Sequence, residues 1–450
     1  MRSRTALHFQ YAPVVQRPTS GDRRNRSYTS LVSARLSVVD EMFLRTHRGW
    51  GTPIVMQGLW RTDGRVDAAT LDSLIADLAR GPLGRRVVRP RVPGARPRFE
   101  PSADAFPVEY AEIEAGAVLA WADEQASLPV DPERGPGWRL ACARPAGGGT
   151  VLSLVCSHVI ADARGLAAAI AAALQGVPTS DGGGAEGAVA DMWDATRLAR
   201  RVTEGTARAV AGLVVSGSRR AELRRFLHVS GKASPGTLCH SPVGVVLDVD
   251  AERWDAVAEQ AGGTPNSLFL AVVAELARRD GETRPLTISV PMDLRGQGDP
   301  TGTANSVAVV EVDVTPKDTV GDVRAKSRAA FSAPAMTSPA GFPEEMLQLV
   351  PDRVAHALTG NPGERDVLCS NIGPLPDALV TIGGHRTTGI ATRAVHPGVV
   401  TSRTRLSAYF SRFGGSYSLA LESLDSPDRA ALRERAGEVL ARHALTARAW

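Results

Sequence analysis

Apolar residues run almost unbroken over positions 151–156 (VLSLVC), and after a polar interval residues 165–174 (GLAAAIAAAL) have the composition of a strong helix former. The first run is short and rich in branched side chains, so it predicts a strand covered on both faces. Between the two, His158 stands at the strand's end and Asp162 just ahead of the helix. The same alternation of apolar run and polar turn recurs. Residues 287–295 predict a strand leading into a turn with Asp293 and Arg295, and residues 305–312 a second apolar strand just beyond. Residues 366–374 predict a short strand closed by Gly373-Pro374, with Ser370 and Asn371 offering polar groups. Near the C-terminus, residues 404–413 and 416–422 flank Gly414-Gly415, which predicts a hairpin carrying Tyr409 and Tyr417.

An internal echo organises these elements. Residues 66–74 (VDAATLDSL) and 249–257 (VDAERWDAV) share the pattern V-D-A-x-x-[LW]-D-x-[LV], each after a strand-like segment, 54–60 and 243–247. In each, the aspartate is placed to cap a helix whose apolar positions recur at three and four. With 450 residues and 43% hydrophobic content, the chain is too long for one typical domain and can fill two cores. We therefore expect an N-terminal lobe over 1–180, a connecting segment over 181–240 and a C-terminal lobe over 241–450.

The connecting segment opens on a glycine-rich break at 179–187. Residues 191–226 then hold eight arginines against four acids and are predicted helical. Two readings stand side by side: a basic face for an acidic carrier protein, a membrane surface or phosphate groups, or a solvated connecting helix.

Composition narrows the function classes. The four cysteines, at 142, 156, 239 and 369, form no CxxC pair, which argues against a cysteine zinc site, and no metal is expected. Without a disulfide framework the chain suits a reducing, cytoplasmic setting. The N-terminus lacks the apolar core of a secretion signal, and no apolar run is long enough to span a bilayer. A net charge of only +4 without a recognised module argues against a nucleic-acid partner.

His158 is the candidate base. A neutral imidazole at a strand end can face a cleft and take the proton of an attacking alcohol or amine. The other reading of the same residues is a core histidine with Asp162 as helix N-cap. No serine or cysteine stands in the glycine-flanked turn of a nucleophile elbow, so direct attack rather than a covalent intermediate is expected.

The stretch His158-Val-Ile-Ala-Asp162-Ala-Arg-Gly165 resembles the HHxxxDG motif of the condensation-domain and chloramphenicol-acetyltransferase-like superfamily. Residues 290–295 (VPMDLR), followed by Asn305, look like its second landmark, and residues 370–373 (SNIG) like its third. Residues 36–43 and 136–140 are similar to further landmarks of the wax ester synthase and polyketide-associated acyltransferase branches. Two positions depart: Ser157 stands where relatives carry a first histidine, and Ala163 where they carry glycine.

The resemblance implies an α/β (α+β) fold of two pseudo-symmetric chloramphenicol-acetyltransferase-like lobes, each a mixed sheet with packed helices, and an active-site tunnel between them. It assigns catalysis to His158 and a salt bridge to Asp162 and Arg295. Ser157, Gly165, Ser370 and Asn371 are candidates for oxyanion or tunnel contacts.

The activity expected is acyl transfer from an acyl-CoA or a phosphopantetheine-linked thioester on an acyl carrier protein to a small alcohol or amine, in natural-product or lipid biosynthesis. No cofactor is expected beyond that thioester substrate, and peripheral membrane contact is compatible. The alternatives are a free-standing condensation enzyme joining carrier-bound intermediates and a catalytically silent binding or scaffold protein of the same fold.

Overall fold

The computed structural model describes residues 35–50, 53–177, 187–230, 242–295, 304–332, 341–359, 365–398 and 404–450. Cys239 and nearly all of the glycine-rich break lie outside the described residues. In chain order come α1 (Val38–His47), β1 (Val55–Thr62), α2 (Ala68–Arg80), β2 (Arg85–Val88), β3 (Arg98–Pro101) and β4 (Glu109–Ile113). Then follow α3 (Val118–Ser127), β5 (Trp138–Pro145), β6 (Thr150–Ser157), α4 (Ala163–Leu174), and the connecting helices α5 (Ala188–Val215) and α6 (Gly217–Ser230). The second half holds β7 (Val243–Asp250), α7 (Ala251–Gln260), α8 (Pro265–Ala277), β8 (Leu286–Asp293), β9 (Val307–Val314), α9 (Val320–Ser332) and α10 (Asp352–Thr359). It ends with β10 (Val367–Pro374), β11 (Thr381–Ile382), β12 (His385–Val395), β13 (Leu406–Phe413), β14 (Ser416–Ser423), α11 (Arg429–Arg442) and β15 (Ala447–Ala449).

Two mixed sheets carry the molecule, one in the order β11-β12-β1-β6-β5-β4 and the other β15-β7-β14-β13-β10-β8-β9. Their centres repeat. In the first, β1 lies antiparallel to β6 of the hairpin β5–β6, and β4 lies parallel to β5. In the second, β7 lies antiparallel to β14 of the hairpin β13–β14, and β10 lies parallel to β13. The sequence echo falls on equivalent places: Asp67 caps α2 after β1, accepting from Thr70 N, and Asp250 caps α7 after β7, accepting from Arg253 N. Gly414, at φ +54°, makes the tight turn of the C-terminal hairpin, where a side chain would be strained.

The chain does not divide cleanly at 180 and 241. Strands β11 and β12, from the second half, complete the first sheet, with β12 antiparallel to β1 from Val55↔Val395 to Thr62↔Thr387. No local pattern marks β12 as belonging to the other lobe, because a strand's alternation is blind to which sheet supplies its neighbours. The connecting segment is helical as expected. Its first two acids turn inward: Asp191 meets Arg35 at 2.7 Å and accepts from Arg91 N, and Asp194 meets Arg96 at 2.7 Å.

The crossing strand carries a buried cation into the seam between the sheets. Arg393 on β12 is fully buried and donates to Gln57 on β1 (2.8 Å), Asp123 on α3 and Glu422 on β14 (3.3 Å). Gly244 on β7 leaves the space, since a Cβ there would stand 2.0 Å from the guanidinium. Burial pushes the Glu422 carboxyl up to about 7 despite Arg393 beside it. The folded state therefore binds the Glu422 proton more tightly than the unfolded chain, and this contribution is lost as pH rises from about 4.5 through about 7. We expect Glu422→Gln to gain thermal stability relative to wild type on moving from pH 5 to pH 8, read as the difference in melting temperature across that range. A difference that does not change with pH would count against this ionisation.

Candidate active site

The stretch from His158 to Gly165 turns where β6 ends. His158 follows the last residue of β6, and Asp162 is the N-cap of α4, its Oδ1 accepting from Gly165 N at 2.8 Å. Its other oxygen, Oδ2, lies 2.6 Å from Arg295 Nη2. Asp162 is thus both the helix cap and the ion-pair partner. Arg295 comes just after β8 and is steadied by Asp293 at 3.1 Å, while Arg164 holds the other oxygen of Asp293 at 3.0 Å. Asp162 N donates to Ala304 O (3.1 Å), so the segment before β9 seals the same turn.

Three further contacts aim the imidazole. Phe43 of α1 stacks on His158 with centroids 3.7 Å apart and planes 14° apart. Asn305 Nδ2 donates to the His158 carbonyl and to Asp40 Oδ1, both at 2.8 Å. Asp40 is itself half of a capping box with Ser37 at the start of α1. Beneath the turn, the half-buried Arg85 donates to Ile160 O at 2.5 Å. Burial lowers Arg85 to about 10, which leaves it charged at neutral pH.

His158 Nδ1 is sealed from solvent, with its own carbonyl and Asn305 beside it, which leaves Nε2 as the nitrogen that opens on a cavity. That cavity, of about 330 Å³, sits at the seam and takes walls from α1, β8, β10, β12 and β13. Burial lowers the His158 pKa below the ordinary histidine value, and Asp162 only partly opposes this. The ring is therefore neutral at pH 7.

The other expected residues divide. Ser370 and Asn371 line the cavity. The Ser370 hydroxyl makes no hydrogen bond among the described residues, whereas Asn371 donates to Asn266 Oδ1 (2.8 Å) and accepts from Gly373 N (2.9 Å). Ser157 and Gly165 are turned away from it. Ser157 is buried with its hydroxyl toward Val159 N, and the Gly165 N–H is already taken by Asp162. Neither lines the cavity, so neither is placed to meet an oxyanion there.

A second imidazole in the cavity escaped the sequence reading. His396 follows β12, holds Pro53 O with Nδ1 at 3.3 Å, and is lowered to about 4 by burial, with the neighbouring His158 adding to the effect. It is also neutral. Only the strand crossing brings it here, so no spacing in the sequence could signal it. Tyr409 lines the same space from β13, and burial raises its pKa.

No family description and no curated protein matches the chain by sequence. Solved structures do match in shape. The first condensation domain of the calcium-dependent antibiotic synthetase, in complex with substrate analogue 2a, superposes with TM-score 0.59 at 18% identity, covering 92% of this chain and 97% of that one. The chain has the condensation-domain fold. Polyketide synthase associated protein 5 from Mycobacterium tuberculosis is similar at TM-score 0.55 and 15% identity, over 91% and 97% of the two chains. Wax ester synthase/diacylglycerol acyltransferase from Marinobacter aquaeolei VT8 is similar at 0.52 and 14%, over 91% and 98%. The architecture expected from the resemblance is thus the one observed.

In this condensation-domain fold the Asp162–Arg295 pair ties the first sheet's turn to the end of β8 with both side chains almost out of water. Removing one partner strands a buried charge, at a cost of about 3–5 kcal/mol. Asp162→Ala and Arg295→Met should each lower stability by that order. In chemical denaturation the double variant should lose clearly less than the sum of the two. Additive losses would mean that the pair is not coupled.

Proposed function

We propose that the protein is an acyltransferase that moves an acyl group from a thioester to an alcohol or amine, with His158 as general base. The observation that carries this reading is a histidine ring, held by Phe43 and Asn305, that lines a partly open cavity of about 330 Å³ between two lobes with Nδ1 buried. Asp162 is no rival base, because one carboxylate oxygen caps α4 and the other binds Arg295.

The acceptor's O–H or N–H donates to His158 Nε2 as its lone pair attacks the thioester carbonyl, which becomes tetrahedral. The Ser370 hydroxyl is one cavity group free to donate to the oxyanion, and Ser289 Oγ is another without a partner among the described residues. Collapse expels the thiolate, which takes the proton from the imidazolium, so the base returns neutral and thiol leaves. His396 gives the acceptor a second neutral imidazole to bond with. The donor is an acyl-CoA or an acyl carrier protein; the acceptor is a small molecule. A condensation enzyme joining carrier-bound intermediates would use the same base.

Free-thiol release from acyl-CoAs and acyl carrier proteins, with and without alcohols and amines, tests the proposal. His158→Ala should slow release by about 10²–10⁴-fold at unchanged melting temperature. With the His158 pKa depressed, kcat/KM should stay level through neutral pH and fall only in acid below about 6.5. Release from carrier-linked donors alone favours the condensation enzyme. No release from any donor, or wild-type rates for His158→Ala, would overturn general-base catalysis here.

A further inference from the structure

Helix α5 buries one face and bares the other. Asp191, Asp194, Leu198, Val202 and Ala209 recur at three- and four-residue spacing and are buried against the protein. On the other side stand Val189, Met192, Trp193, Val210, Val214 and Val215, six of the fourteen large apolar side chains exposed among the described residues. Trp193 is 61% exposed and Val214 74%. At helical spacing, Val189, Trp193, Val210 and Val214 fall on one stripe, with Arg200 between its ends.

Charge follows the same division. The inward acids Asp191 and Asp194 are already paired with Arg35 and Arg96. The outer part keeps Arg197, Arg200, Arg201 and Arg208; Glu204 bonds both Arg200 and Arg208, and Arg201 reaches Glu345 at 3.7 Å, which leaves a net positive flank. Arg197, Arg201 and Arg208 share one flank of the apolar stripe.

We propose that α5 docks the protein on an anionic lipid surface, its apolar stripe entering the headgroup boundary and its arginines meeting lipid phosphates. This does not rest on the acyl-transfer reading. A helix of 28 residues is roughly 42 Å long, so Val189 and Trp193 near one end and Val210 and Val214 near the other meet one extended surface together. Among the described residues no helix is long and apolar enough to cross a membrane, so the contact is one of surface and not of span. Tryptophan suits that depth because its ring is apolar and its N–H seeks water. An acidic carrier protein would answer the arginines but not bare Trp193 and Val214 near opposite ends of the helix. A second copy would cover the apolar stripe but bring two arginine rows together.

Sedimentation of the full chain with phosphatidylcholine vesicles, plain or mixed with phosphatidylglycerol, tests the proposal. The protein should pellet with the mixed vesicles, less so as salt rises, and not with plain ones. Both Trp193→Asp/Val214→Asp and Arg197→Glu/Arg208→Glu should weaken binding by about tenfold or more, while melting temperature and thiol release from soluble donors stay at wild-type values. Trp193→Phe should lose the blue shift of tryptophan emission on mixed vesicles. Equal binding to plain vesicles, binding that ignores both double variants, or no binding at low salt would overturn it. So would self-association or carrier-protein binding that Trp193→Asp/Val214→Asp abolishes while vesicle binding persists.

Discussion

The ion pair between Asp162 and Arg295 is the constraint on which the site depends. Asp162 belongs to the turn after β6 and Arg295 to the end of β8, 133 residues later, so the pair registers one sheet against the other. Because Asp162 also caps α4, the same carboxylate fixes where that helix begins. The loop between strand and helix is thus anchored at its far end, and His158 at its near end has little freedom left. Asn305 and Phe43 remove the remainder, one holding the His158 carbonyl and the other its ring. An imidazole placed this way is preorganised, as the proposed proton removal would require.

The seam is closed by exchange as well as by charge. Each sheet is built around the same four-strand plan, and the two plans are joined because β12 leaves the second half and pairs with β1. That strand has Arg393 buried near one end of its pairing with β1 and is followed by His396 at the cavity. A fully buried guanidinium is stable only with its donors satisfied, and Gln57, Asp123 and Glu422 reach it from three different elements. The cavity lies where the two sheets' repeating plans meet, framed by strand ends with polar residues.

What could be read from the sequence was local. The run at 151–156, the cap residues Asp67 and Asp250, and the Gly414-Gly415 hairpin follow from periodicity and turn chemistry, and each formed as expected. His158 and Asp162 could be singled out because a strand end and a helix start lie within one short stretch. Arg295 could be tied to Asp162 only through the motif resemblance, since nothing in spacing relates residues so far apart. His396 and the membership of β12 were illegible because both depend on which sheet a strand joins. Ser157 and Gly165 looked like site residues for their place in the motif, but neither lines the cavity, and the Gly165 N–H is spent on Asp162.

The arrangement also settles how a histidine and an aspartate four residues apart divide their work. A free carboxylate beside the ring would raise the pKa of His158 and favour an imidazolium, which cannot accept a proton. Arg295 offsets that charge, and the Gly165 N–H draws the other oxygen toward the helix. Burial then prevails and the ring stays neutral. The acid's charge is committed to structure, and the His158 imidazole lines the cavity uncharged.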